Sequence, residues 1–267
     1  MLDRDGCIRD LSGHVPEINP STLAAALAFS PLDPTILPLV DAGVRLAESV
    51  ARVGKFVCIG LNYSDHAAES GMPVPAEPII FMKATSAIIG PDDDVLLPRT
   101  STKSDWEVEL GVVIGREARY VGKDRALDYV AGLCVVNDLS EREYQLERGG
   151  QWDKGKGCDT FGPFGPYLVT LDEVPDLANL NLWLDIDGER VQRGNTASLI
   201  FDVPHLVHYV SQFMSLQPGD IISTGTPPGV GRGMKPPRYL KCGEVITLGI
   251  DGLGEQRQHV RRAVVGE

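Results

Sequence analysis

The chain of 267 residues is poor in basic charge. Its 25 Lys and Arg face 37 Asp and Glu, giving a formal net charge of -12 and a pI near 4.9. That balance excludes nucleic acid as a partner, because a phosphate backbone selects a basic face. Cysteine is sparse and lacks a pattern. Cys7, Cys58, Cys134, Cys158 and Cys242 are odd in number and widely spaced, with no Cys-x-x-Cys pair. Neither a disulfide framework nor a zinc site is signalled, and a reducing cytoplasm is the expected compartment. No apolar run approaches a membrane span, and Met1-Leu2-Asp3-Arg4-Asp5-Gly6 has neither the basic nor the apolar region of a signal peptide. A soluble protein with no membrane partner is expected. Internal repeats and low-complexity segments are also missing.

What is abundant is punctuation: 29 Gly and 19 Pro separate short apolar runs such as Phe56-Val57-Cys58-Ile59-Gly60, Pro78 to Met82, Val95 to Pro98, Tyr129 to Val136, Tyr167 to Thr170, Leu180 to Ile186, Asp220 to Thr224 and Glu244 to Ile250. Many short strands with frequent turns predict a mainly β body with some α, a mixed roll or barrel, instead of regular βαβ alternation. Helices are expected over Tyr63 to Ser70, Ser140 to Arg148 and Val203 to Met214, the last carrying an apolar stripe at Val203, Leu206, Val207, Val210 and Met214. Residues 1–50 form a small N-terminal region, with a hairpin-like start and helical pieces around Pro20 to Leu27 and Asp41 to Ala47. Residues 51–267 form the main domain.

Within Asp105 to Ile114, Glu107 and Glu109 are one residue apart in a stretch that otherwise reads as a buried strand. Alternation puts both on one face, with Val108 and Leu110 on the other. Two adjacent carboxylates on a covered face repel unless a cation or shared protons offset them. Asp138, ending the run Ala131 to Asp138, supplies a third oxygen donor, and such a set suits Mg²⁺ or Mn²⁺ better than Zn²⁺. The bland reading is a solvent-facing strand balanced by Lys103 or Arg116.

On one predicted helical turn His66 and Glu69 share a face, so a carboxylate can fix the tautomer of an imidazole acting as general base. Solvated neighbours on an exposed turn would look the same. The loop Gly71-Met72-Pro73-Val74-Pro75 makes this turn a candidate lid. Arg142 and Gln145 stand at i, i+3 spacing, and Lys156 lies between two glycines, where it can present a charge to an anionic substrate. Ser223 to Gly231 follows a strand but lacks the ending of a phosphate loop; the Thr226 hydroxyl could grip a carboxylate, or the segment is a turn. His205 and His208 read as structural. Cys58, Cys134 and Cys158 read as small buried hydrophobes.

Taken together, Gly60-Leu61-Asn62-Tyr63 with His66 and Glu69, Phe81-Met82-Lys83 with Ser86, Asp105-Trp106-Glu107-Val108-Glu109, Asn137-Asp138, Lys156 to Pro163 and Thr224-Gly225-Thr226-Pro227 resemble the fumarylacetoacetate hydrolase family, in order, from about Lys55 to Gly252. The resemblance implies a mixed β-sandwich roll, a homodimer, and Mg²⁺ or Mn²⁺ held by Glu107, Glu109 and Asp138. It implies a water-activating pair in His66 and Glu69, a catalytic Lys156, and substrate contacts from Tyr63, Lys83, Arg142, Gln145 and Thr226. Gly149 to Lys154 and Gly6 to Leu11 are similar to family members that hydrolyse 2,4-diketo-3-deoxy sugar acids such as the L-rhamnonate or L-fuconate derivative, which implies a small anionic substrate. Decarboxylation, isomerisation of a 2-oxo acid, or metal-dependent binding without catalysis are the alternatives. Selectivity for the distal half of the substrate is expected in Met72 to Glu77 and Gly231 to Tyr239.

Overall fold

A computed structural model describes residues 1–263 except 30, 31, 42, 70 and 72. Strand β1 (Phe56–Gly60) and helix α2 (Ser64–Glu69) follow the N-terminal region, which contains α1 (Leu23–Leu27). Next come β2 (Ile79–Lys83), β3 (Ile88–Ile89), β4 (Val95–Leu97), β5 (Ser104–Asp105), β6 (Val108–Ile114), β7 (Val130–Asn137) and β8 (Ser140–Glu141). Helices α3 (Arg142–Leu146) and α4 (Asp153–Lys156) lead to β9 (Gly162–Val169), β10 (Asn181–Ile186) and β11 (Glu189–Asn195). Helix α5 (Val203–Phe213), β12 (Ile221–Ser223), β13 (Val245–Ile250) and β14 (Gly254–Arg262) complete the chain.

Two curled sheets stack into the mainly β roll expected from the sequence. The larger has the order β2-β1-β12-β6-β7-β9-β3, and the smaller β11-β10-β13-β14-β4. Strand alternation divides the larger sheet cleanly. Val57, Ile59, Val108, Leu110, Val112, Leu133 and Val135 pack against Leu182, Leu184, Ile246 and Leu248 of the smaller sheet. The opposite face carries Phe56, Cys58, Val113, Cys134, Val136 and Ile221, covered in part by Leu23 and Val50 from the N-terminal region. That region also has a minor cluster of its own around Leu11, Val15 and Leu37.

Several boundaries differ from the sequence expectation. Asp105 to Ile114 is not one strand: β5 ends at Asp105 and β6 begins at Val108. The break arises because the backbone N–H of Glu107 donates to the Asn137 side chain (3.2 Å) and that of Val108 to the Gln192 side chain (3.0 Å). The expected helix from Ser140 starts two residues later, since Ser140 and Glu141 pair with β5 and the Glu141 carboxylate then caps α3. Helix α5 matches its apolar stripe, capped by Asp202, which accepts from the His205 N–H at 2.8 Å. Asp41 to Ala47 contains no helix among the described residues. Asp41 instead accepts from Gly43 N–H in a local turn (2.8 Å), and Arg45 reaches Asp93. Ala42, Ser70 and Met72, which fall in expected helical or loop segments, lie outside the described residues.

Leu184 is fully buried between the sheets. Its replacement by Ala should cost about 2–5 kcal/mol through lost contacts and a residual cavity, read as a lower urea midpoint at unchanged denaturant slope.

Candidate active site

The register of β6 and β7 builds the acidic cluster. Val108 is paired with Asn137 and Glu109 with Val136, and Asp138 N–H donates to the Glu107 carbonyl at 2.9 Å. Glu107 therefore stands across from Asp138, with Glu109 two residues along on the same face, away from the smaller sheet. Carboxylate oxygens of the three residues come within 4.8 Å of one another, and all three side chains are buried.

Cations from distant segments surround this cluster. Lys156 Nζ donates to Glu107 Oε2 at 2.6 Å, Asp138 Oδ2 at 2.7 Å and the Asp138 carbonyl at 3.3 Å, so its three N–H groups are all engaged. Lys83 Nζ donates to Asp138 Oδ1 at 2.6 Å. Arg142 bridges Glu107 Oε1 (2.6 Å) and Asp105 Oδ2 (2.8 Å). Burial alone would raise the Glu107 carboxyl, but the charges of Lys156 and Arg142 hold it at about 2. Glu109 lacks such a partner. Among the described residues it accepts only from the Ser223 hydroxyl (2.6 Å) and Gly225 N–H (2.9 Å), and burial, then Asp138 and Glu107, push its carboxyl well above the ordinary range.

The donor set fits a hard divalent ion. Asp105, Glu107, Glu109 and Asp138 are four buried carboxylates facing three buried cations, Lys83, Arg142 and Lys156. One negative charge is therefore uncompensated at full ionisation, and it sits where three oxygens converge without His or Cys. A doubly charged ion there would leave a net positive floor, suited to an anionic ligand.

Above the cluster is a cavity of about 620 Å³. Glu107, Glu109, Lys156, Arg142, Gln145 and Thr226 line its floor, and His66 and Glu69 of α2 line it too. His66 Nδ1 and Glu69 Oε2 are 3.2 Å apart, while the Glu69 carboxylate accepts from Gly229 N–H at 3.2 Å. Gln145 spends Oε1 on Arg142 (3.1 Å). Its amide nitrogen has no acceptor among the described residues. Thr226 Oγ1 donates to the Val108 carbonyl (3.0 Å) and accepts from Gln192 (2.9 Å), leaving it only accepting capacity.

Three sequence candidates stand behind the wall. Tyr63 is fully buried, its hydroxyl unpartnered among the described residues, Lys83 is spent on Asp138, and Asp138 is fully buried between Lys83 and Lys156; none of the three lines the cavity. Conversely, sequence reasoning gave no role to Asp105 and Trp106, although they adjoin the Glu-x-Glu pair, nor to Trp152, whose ring meets Phe81 edge-on at the cavity wall. Arg232 and Lys235 also line the cavity, within the segment expected to set selectivity. Both are exposed and have no ion-pair partner among the described residues, unlike Arg238 nearby, which pairs with Glu189 and Glu244.

The family model for the fumarylacetoacetate hydrolase C-terminal domain matches residues 55–261, and the chain belongs to this family. A relative from Burkholderia ambifaria (strain MC40-6), named provisionally as a hydrolase, is 62% identical over 98% of this chain and 94% of its own. Among solved structures, fumarylacetoacetate hydrolase from psychrophilic Exiguobacterium antarcticum is 33% identical with a TM-score of 0.88, covering 98% of this chain and 94% of that one. A 5-carboxymethyl-2-hydroxymuconate delta-isomerase from Mycobacterium smegmatis is 35% identical with a TM-score of 0.74, covering 85% and 87%. Hydrolases and isomerases thus share the fold, and hydrolase is the general class supported by the relatives.

Glu109→Gln keeps an acceptor for Ser223 and Gly225 but removes the charge. Its affinity for Mn²⁺, measured by calorimetric titration, should fall by at least about a hundredfold, beyond the usual effect of changing an outer hydrogen bond, while the circular dichroism spectrum stays that of the parent.

Proposed function

We propose that this chain is a metal-dependent hydrolase that cleaves the C3–C4 bond of a 2,4-diketo acid, releasing pyruvate and a carboxylic acid. The observation that carries the reading is that Glu107 and Glu109 of the carboxylate cluster and the His66–Glu69 pair line one cavity, with Asp138 directly behind them. Glu107, Glu109 and Asp138 would hold Mg²⁺ or Mn²⁺, which would supply Lewis acidity at the 2-oxo acid end of the substrate. On the sequence resemblance alone, the distal half is that of a deoxy-L-rhamnonate or L-fuconate derivative, whose second product is L-lactate.

The residues divide the remaining work. With Nδ1 turned to Glu69, His66 has Nε2 to accept a proton from water, and the carboxylate stabilises the imidazolium so formed. The hydroxide equivalent adds to C4, the C3–C4 bond breaks, and the proton held by His66 returns to C3, so that pyruvate leaves with a methyl group. The Gln145 amide nitrogen is the donor already disengaged for a substrate oxygen, while Lys156 joins by releasing its long contact to the Asp138 carbonyl. Arg142 holds Glu107 in place and presents charge to the substrate. Tyr63 and Lys83 act from behind: Lys83 orients Asp138, and Tyr63 packs in the apolar core just before α2.

Arg232 and Lys235 support an anionic substrate. In a chain of net charge -12, two cations at the cavity wall with no ion-pair partner among the described residues create local attraction that the overall field lacks. The division into a small region 1–50 and a catalytic domain 51–267 belongs to the same proposal, supported by a family match beginning at Lys55 and by site residues that all follow it. So do a homodimeric assembly and a cytoplasmic location, carried by the family resemblance and the cysteine pattern.

A second reading, isomerisation of an unsaturated 2-oxo acid, is favoured by the similarity to the delta-isomerase. It needs no water attack, so the His66–Glu69 pair argues for hydrolysis.

A panel of acylpyruvates and 2,4-diketo-3-deoxy acids with Mg²⁺ or Mn²⁺, followed by loss of enol absorbance and identification of both products, should show pyruvate and a carboxylic acid in equal amounts. Activity unchanged after exhaustive chelation, or binding without consumption, contradicts the proposal. His66→Ala should lower kcat by about 10²–10⁴-fold while Mn²⁺ affinity stays unchanged. Replacing Arg232 and Lys235 together by Ala should raise KM about fivefold with kcat little changed, and the difference from the parent should shrink at high salt.

A further inference from the structure

The Asp105-Trp106 pair takes no part in the chemistry assigned above, yet both side chains are fully buried and both are directed at one loop. Asp105 Oδ1 accepts from Gly231 N–H at 2.7 Å and Oδ2 from Arg232 N–H at 3.0 Å. Trp106 Nε1 donates to the Gly229 carbonyl at 3.1 Å. The loop has little freedom to sit elsewhere. A Cβ on Gly231 would fall 2.0 Å from the Arg238 carbonyl and 2.9 Å from both Asp105 Oδ1 and the Trp106 ring, and Gly229 has φ +100° with its missing Cβ 2.0 Å from the Val191 carbonyl. On its outer side the same loop offers Gly229 N–H to the Glu69 carboxylate, and at Gly233 the absent Cβ leaves room for Glu69 Cδ, 3.1 Å away.

On the inner side, Asp105 Oδ2 also accepts from Arg142 Nε (2.8 Å), and Arg142 reaches Glu107 at 2.6 Å. A continuous chain of polar contacts therefore runs from Glu69 through the Gly229–Arg232 loop to Asp105, Arg142 and the acidic cluster. We propose that Asp105 and Trp106 are positioning residues: they fix the loop that seats Glu69, so that the general-base pair on α2 is registered against the carboxylate cluster. The inference rests on the proposed role of His66 and Glu69 and adds what holds that pair in place. Glu69 is 160 residues from Gly229 in sequence, so without this seat the short helix α2, six residues long, has only its own local bonds to orient the carboxylate.

The test is a double-mutant cycle in the full chain with Mn²⁺, using the acylpyruvate that turns over best. Trp106→Phe keeps a buried ring and loses only the indole donor and its outer ring. Alone it should lower kcat about tenfold with KM within about twofold and Mn²⁺ affinity unchanged; in a Glu69→Ala background it should cost nothing further, because the group it positions is gone. Hydrogen exchange should show faster opening of Ser64–Glu69 in Trp106→Phe. Equal losses of kcat with and without Glu69, or a kcat like that of the parent, overturn the proposal. Full activity in Glu69→Ala alone would instead overturn the general-base reading. If Trp106→Phe does not fold, exchange in Glu69→Ala decides: the Gly229 amide loses protection if carboxylate and seat are coupled, and keeps it if they are not.

Discussion

The site depends on confining three carboxylates to one face of a sheet at the junction of β6 and β7. Such a cluster is expensive in the absence of opposing charge, because burial and mutual repulsion both favour the neutral acids. Lys83, Lys156 and Arg142 answer two of the three, Glu107 and Asp138, directly. Among the described residues, Glu109 is held by a hydroxyl and a backbone amide alone. With Asp105, which shares Arg142, four buried carboxylates face three cations, so the arrangement is one positive partner short of balance, and that deficit is what makes the floor of the cavity receptive to a divalent ion.

Support for this floor comes from the second sheet as well as the first. Asn137 and Gln192 bind the backbone N–H groups of Glu107 and Val108, and Gln258 of β14 accepts from Asn137 at 3.2 Å. Amide side chains crossing between sheets in this way fix the point at which β6 begins, and with it the direction of Glu107. Fully satisfied buried amides of this kind rigidify what they touch, whereas a half-satisfied network would loosen it. Stacking of the two sheets is therefore connected to the chemistry through hydrogen bonds and not only through apolar packing.

Much of this was legible in the chain. The period of two put Glu107 and Glu109 on one face, Asp138 closed a second apolar run, and the i, i+3 spacing of His66 and Glu69 survives as a 3.2 Å contact. The apolar stripe marked α5, and the short apolar runs marked the strands of the mainly β roll. What escaped depends on contacts between residues far apart in sequence. Lys83 lies 55 residues from Asp138 and looks like any strand-end lysine until β2 and β7 share a sheet. Tyr63, read as a substrate contact, is enclosed in the main apolar core. The expected helix at Asp41 failed for a local reason that spacing does not reveal: an Asp side chain closing its own turn competes with the first helical hydrogen bond.

The central claim is that Glu107, Glu109 and Asp138 share one metal ion. Anomalous diffraction from crystals grown with Mn²⁺ tests it most directly. The account predicts a single strong peak at about 2.0–2.3 Å from an oxygen of each of the three carboxylates. A peak elsewhere, or none between them at saturating Mn²⁺, would contradict it.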